Sequence, residues 1–96
     1  MKVSYLDILP LIPAKENGFI TAKTLSTRTG YTESFIRKLI NQARSAGVPI
    51  CSTQRGYYFS NDQVDISQTV KFLTRRLQTQ LKAIDGLINI NCKENE

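Results

Sequence analysis

The sequence predicts a mainly α-helical fold with one small β-hairpin, and three stretches predict it. Thr21 to Asn41, TAKTLSTRTGYTESFIRKLIN, sets two short helical patterns on either side of Gly30. Pro49 to Ser60 contains two β-favouring runs around a polar turn. From Asn61 onward the apolar residues recur at helical spacing for more than twenty positions. The expected organisation is a compact domain over residues 1–62, a long amphipathic helix over 63–90, and a disordered polar tail over 91–96.

Val3 to Ile12 has a helical rhythm (Tyr5, Leu6, Leu9, Ile12) with Ser4 placed to cap it. Pro10 spoils a simple helix, because it lacks an N–H and crowds the preceding turn. A short helix therefore ends near Leu9, or a kinked one begins there. Pro13 to Gly18 reads as a polar loop, and Phe19-Ile20 as a short strand lying against the hairpin. Thr21 caps a helix running to Thr29 with Leu25 inward. Thr32 caps a second helix, with Glu33 in its first turn, that runs to Ala46 and stops at Gly47 before Pro49. Its inward stripe is Ile36, Leu39, Ile40 and Ala43.

Counted from Gly30, Ser26 lies four residues before, Leu25 five before, Ile36 six after and Leu39 nine after. A small residue permits close helix crossing, the glycine takes the tight turn, and the aliphatics lock the second helix onto the first. The hairpin follows as Pro49–Ser52 and Tyr57–Ser60 around Thr53-Gln54-Arg55-Gly56. Tyr57, Tyr58 and Phe59 alternate on the return strand and are read as structural aromatics. Two helices followed by a basic hairpin read as a winged helix-turn-helix.

The outward face of the second helix follows from its inward one. It carries Ser34, Arg37, Lys38, Asn41 and Arg44, with Thr32 and Glu33 at the leading end. Arginine pairs with the guanine edge, asparagine with adenine, and Ser or Thr with bases or phosphates. Thr21, Lys23, Thr27 and Arg28 border the crossing helix, where phosphate contact is expected. Gln54 and Arg55 at the hairpin tip suit phosphates or an adjacent minor groove. From Thr21 to Gly56 there are six basic residues (Lys23, Arg28, Arg37, Lys38, Arg44, Arg55) against Glu33, a local surplus that equals the net charge of +5 for the whole chain. That concentration is the footprint expected for a polyanion partner.

The last helix is expected from about Ile66 to at least Ile84, capped by Asn61, Asp62 or Asp65. Taking Val70, Leu77 and Ile84 as heptad a positions makes Ile66, Leu73 and Leu87 d positions, with Gln80 the one polar d. Leu81 and Ile88 widen the stripe beyond a two-stranded seam, and Thr74, Arg76, Leu81 and Ala83 give no complementary charge ladder. A helix of about 20 residues spans roughly 30 Å, more than one small domain covers, so the expected cover is the same helix of a second copy. The competing expectation is burial within one chain.

Two cysteines, Cys51 and Cys92, and no histidine leave no tetrahedral zinc site without help from carboxylates. No general-base histidine, phosphate-cradling glycine loop or closely spaced carboxylate pair appears, so an enzyme is not expected, nor a cofactor or small-molecule ligand. Neither a secretory leader nor a membrane span is read, and the expected setting is the cytoplasm of a bacterial or phage-infected cell.

Over roughly Ile20 to Ser60 the chain resembles the winged helix-turn-helix superfamily of bacterial and phage DNA-binding proteins. TAKTLSTRTGYTESFIRKLI carries the resemblance, followed by GVPICSTQRGYYFS, which looks like the wing of biotin-repressor-type amino-terminal domains. The resemblance implies that Thr32, Glu33, Ser34, Arg37, Lys38 and Asn41 fall on positions that read the major groove. The chain departs from the pattern at Tyr31, bulkier than the usual aliphatic, and in its long final helix. The function expected is a dimeric, sequence-specific duplex-DNA-binding protein, either a transcription regulator or a replication or accessory factor of a phage or mobile element. The alternative is an interaction module whose basic face binds a protein partner.

Overall fold

The computed structural model describes residues 4–94, so Val3 and residues 95–96 of the expected tail lie outside the described residues. It is mainly helical, with a two-stranded antiparallel hairpin and a long C-terminal helix. The chain divides into two compact units, residues 1–66 and 67–96.

In the first unit the early apolar run forms two 3-10 turns, Tyr5–Asp7 and Leu9–Leu11, rather than an α-helix. Ser4 caps the first, accepting from the Leu6 N–H while Asp7 accepts from the Ser4 N–H. Pro10 lies in the first two positions of the second turn, where its missing N–H costs nothing. The break between the turns drives Ile8 and Ile12 into the core, at 0 and 5% exposed. The expected polar loop holds a further 3-10 turn, Lys15–Asn17.

Helix α1 spans Ala22–Thr29 with Thr21 as N-cap, and Gly30 closes it in the left-handed region (φ 82°, ψ 0°). Helix α2 spans Glu33–Ser45 with Thr32 as N-cap. Its end is satisfied by the Gly47 and Val48 amides, which donate to the Arg44 and Ala43 carbonyls at 3.0 Å each. Ile36, Leu39, Ile40 and Ala43 are at most 1% exposed. With Ile8, Ile12, Ile20, Leu25 and Ile50 they form one core. Burying each large aliphatic there is worth about 1.5–3 kcal/mol relative to leaving it in water.

Strands β1 (Ile50–Thr53) and β2 (Gly56–Phe59) pair with Ile50 opposite Phe59 and Thr53 opposite Gly56. The loop is therefore only Gln54-Arg55, tighter than the four-residue turn expected. Neither loop residue has positive φ, so the unusual conformation passes to Gly56 (φ 135°). The far side of β2 is covered too. Ile20 and Tyr57 exchange backbone bonds of 3.0 and 2.7 Å, as the sequence predicts, and the Phe59 amide donates to the Pro13 carbonyl at 2.8 Å. Tyr58 is 3% exposed with Phe19 edge-on at 5.1 Å, while Tyr57 and Phe59 pack against the core.

Helix α3 spans Gln63–Glu94. Asp62 is its cap, with Oδ1 accepting from the Val64 N–H at 2.8 Å. Asp65, one of three caps considered, instead sits 5% exposed inside the first unit. Lys15 Nζ donates to both its oxygens at 2.9 and 3.0 Å, and the Ser60 hydroxyl donates at 2.7 Å. The second unit is the rest of this helix. Gly86 lies inside it, and residues 91–94, expected to be disordered, continue it.

Candidate nucleic-acid interface

The turn between α1 and α2 is tied by side chains as well as by its glycine. The Ser26 hydroxyl donates to the Tyr31 carbonyl. Thr29 Oγ1 donates to the Leu25 carbonyl at 2.7 Å and accepts from the Tyr31 N–H at 3.2 Å. Tyr31 finds room by packing edge-on to Phe35 at 5.3 Å beside the core. This fixes the direction in which α2 leaves the turn, and hence which of its side chains face water.

Thr32, Glu33, Ser34, Arg37, Lys38 and Asn41 are all exposed, as the inward stripe requires. Arg37 reaches Glu33 at 3.7 Å, a long i,i+4 pair with both side chains about half exposed. Exposed pairs of this kind are worth about 0.3–0.5 kcal/mol, so a stronger anion can take the guanidinium. Thr32 Oγ1 accepts from the Phe35 N–H at 3.1 Å, and Thr21 Oγ1 accepts from the Thr24 N–H at 3.1 Å. Both threonines thus have capping duties that account for them without a ligand. Lys23, Thr27 and Arg28 on α1 are exposed, as are Gln54 and Arg55 at the hairpin tip. The Thr53 hydroxyl accepts from the Arg55 N–H at 3.0 Å and stiffens that tip.

Arg44 departs from the expected solvent face. Its Nε donates to the Ile50 carbonyl at 2.8 Å, its guanidinium reaches the Ser52 hydroxyl at 3.1 Å, and the same group lies 5.8 Å from the Tyr57 ring centroid. Burial lowers its pKa, with Tyr57 and Cys51 opposing that shift. Arg44 follows the buried Ala43 at the edge of the stripe, so its long stem folds onto the strand rather than into water. Gln42 and Ser45 are exposed on α2 and escaped the sequence reading, because a polar residue near the helix end carries no chemical signal of its own.

The expected seam on α3 is exposed over most of its length. Ile66 and Leu73 are half-buried, whereas Val70, Leu77, Leu81, Ile84 and Leu87, the other residues of that seam, are 49–67% exposed, and Ile88 beside them is 52% exposed. No helix among the described residues is long and apolar enough to cross a membrane.

No protein-family model, curated protein or solved structure matches the chain.

Proposed function

We propose that the protein is a dimeric, sequence-specific binder of duplex DNA of the winged helix-turn-helix kind, with α2 in the major groove. It acts as a transcription regulator or as a replication or accessory factor of a phage or mobile element, in the cytoplasm of the host cell. One observation carries the proposal. Ser34, Arg37, Lys38 and Asn41 share the exposed face of a helix whose other face is sealed in the core, so they are held out on a rigid support with no packing duty. Their chemistry suits base edges and phosphates. Lys23 and Arg28 on α1 supply backbone contacts, and Gln54 and Arg55 extend the footprint to a neighbouring groove. The long α3 joins two copies, which suits a two-fold symmetric operator.

The test is fluorescence polarization against genomic fragments at two salt concentrations, with wild type and Arg37→Ala. If Arg37 is bidentate to a guanine, its loss weakens the best site by about 1–3 kcal/mol and relaxes the preference at one base pair. Unchanged affinity at that site removes Arg37 from the reading surface. No duplex binding even at low salt would sink the DNA proposal and leave the protein-partner reading.

A further inference from the structure

Beside the hairpin tip lies a shallow recess of about 350 Å³, lined by Phe19, Thr53, Gln54 and Arg55. Of the four tyrosines and four phenylalanines in the chain, Phe19 alone is exposed, at 38%. Its ring stands edge-on to the buried Tyr58, and its open side forms part of the recess. The walls are held by the backbone. Ile20, next to Phe19, exchanges two hydrogen bonds with Tyr57, two residues from Arg55. That approach requires glycine at 56, where a Cβ would stand 2.5 Å from the Ile20 carbonyl oxygen. The Thr53 hydroxyl accepts from the Arg55 N–H and braces the tip. From Gly18 to Ser60 the one acid is Glu33, which pairs with Arg37 on α2. An apolar ring and a cation without an acidic partner among the described residues are therefore fixed side by side.

We propose that this recess seats one sugar–phosphate unit of duplex DNA at the minor groove, with Phe19 against the C–H edge of the deoxyribose and Arg55 on its phosphate. This contact presupposes the duplex binding proposed above and adds a residue from outside α2 and the hairpin. Sugar and phosphate take most of the contacts that proteins make to a duplex, and a glutamine amide such as that of Gln54 serves there as a donor. The backbone offers an apolar edge next to an anion at every nucleotide, which is the pairing the recess presents. Bases fit it less well. Their faces are covered by stacking, and uncovering one costs a few kcal/mol and takes an apolar wedge that projects. Phe19 instead lies in a recess against Tyr58. The ring carries no charge, so its contact releases no counterion and leaves a different signature from that of Arg55.

Hydroxyl-radical cleavage reads the deoxyribose C–H bonds exposed in the minor groove, and it tests the contact on the genomic fragment that binds tightest. Methylation of guanine N7 reports the major groove on the same complex. Wild type should protect a short run of sugars beside the N7-protected guanines. Phe19→Ala should restore cleavage in that run and leave N7 protection in place. By fluorescence polarization its affinity should fall about fivefold at every salt concentration, the value of roughly 40 Å² of apolar surface taken from water, with an unchanged salt slope. Arg55→Ala should expose the same sugars and flatten the slope by about one phosphate contact. Phe19→Gln, whose stem still covers Tyr58, takes the place of Phe19→Ala if that variant melts below the assay temperature. Sugar protection that survives the Phe19 change, or an affinity loss of less than about twofold, overturns the inference while N7 protection upholds duplex binding. A thymine in that run made reactive to permanganate by wild type would put an unstacked base on the ring, and overturns it as well. Absence of both protections in wild type removes duplex binding and this contact together.

Discussion

Arg37 and Arg44 stand two turns apart on α2 and have opposite surroundings. Arg37 points into water beside Glu33, whereas Arg44 bridges the helix to β1 through the Ile50 carbonyl and Ser52. Arg44→Ala should lower unfolding stability by about 1.5–3 kcal/mol, the usual value of hydrogen bonds to a charged group. Arg37→Ala should stay within about 0.5 kcal/mol of wild type. Urea denaturation of the two variants checks the contrast, and equal losses would refute it. Gly56 is set by a different constraint. A Cβ built there meets the Ile20 carbonyl oxygen at 2.5 Å, and its φ is one that side chains rarely adopt. Gly56→Ala should therefore cost more than the roughly 1 kcal/mol of a tolerated glycine replacement, with loss of the Ile20–Tyr57 pairing visible in amide exchange. The sequence supplied the positive φ at Gly56 but not the crowding, because Ile20 is remote in the chain.

The hairpin presents Arg55 on a two-residue loop braced by Thr53 and backed by Ile20 and Pro13 on the far side of β2. A short, braced tip loses little freedom on touching a phosphate. In the proposed complex Arg55→Ala should weaken specific and nonspecific DNA alike and flatten the salt dependence by about one phosphate contact. A loss confined to the specific site would mean that the hairpin reads bases. How well each segment could be read from its residues followed from whether one face met the core. The inward stripe of α2, both N-cap threonines and the Ile20 pairing are specified by local spacing, and they appear as expected. The Tyr5–Leu11 segment was less readable, since a proline splits its apolar rhythm and short-range bonds decide the outcome. The start of α3 at Gln63 and its last residues, 89–94, carry little periodic apolar signal, and one glycine at position 86 costs a helix only about 1 kcal/mol.

One ion pair across fifty residues joins Lys15 to Asp65 in the first turn of α3, and it sets how the first unit responds to pH. The Ser60 hydroxyl first, then the Lys15 ammonium, hold the Asp65 carboxyl below its ordinary 3.8. Asp65 in turn holds Lys15 above 10.5, chiefly by hydrogen bonding. Burial pushes the Tyr58 hydroxyl above 10.0. The carboxylate's contribution is complete above its ordinary value and drains away as pH falls through the lower folded one. The lysine and tyrosine contributions are complete below their ordinary values and drain as pH rises. With no histidine in the chain, thermal stability should be flat from about pH 5 to 9 and fall on both sides. Lys15→Met should melt lower across that plateau and converge with wild type at both extremes. A constant gap at every pH would show that the pair contributes by shape alone. The hairpin also contains a clock. Cys51 is 1% exposed in β1, its sulfur 3.8 Å from the Ser60 carbonyl, and no alkylating reagent reaches it while the strands stay together. In a Cys92→Ser background the rate at which that single thiol is consumed counts excursions of the hairpin from its closed form, and bound DNA that rests on the tip would slow the count.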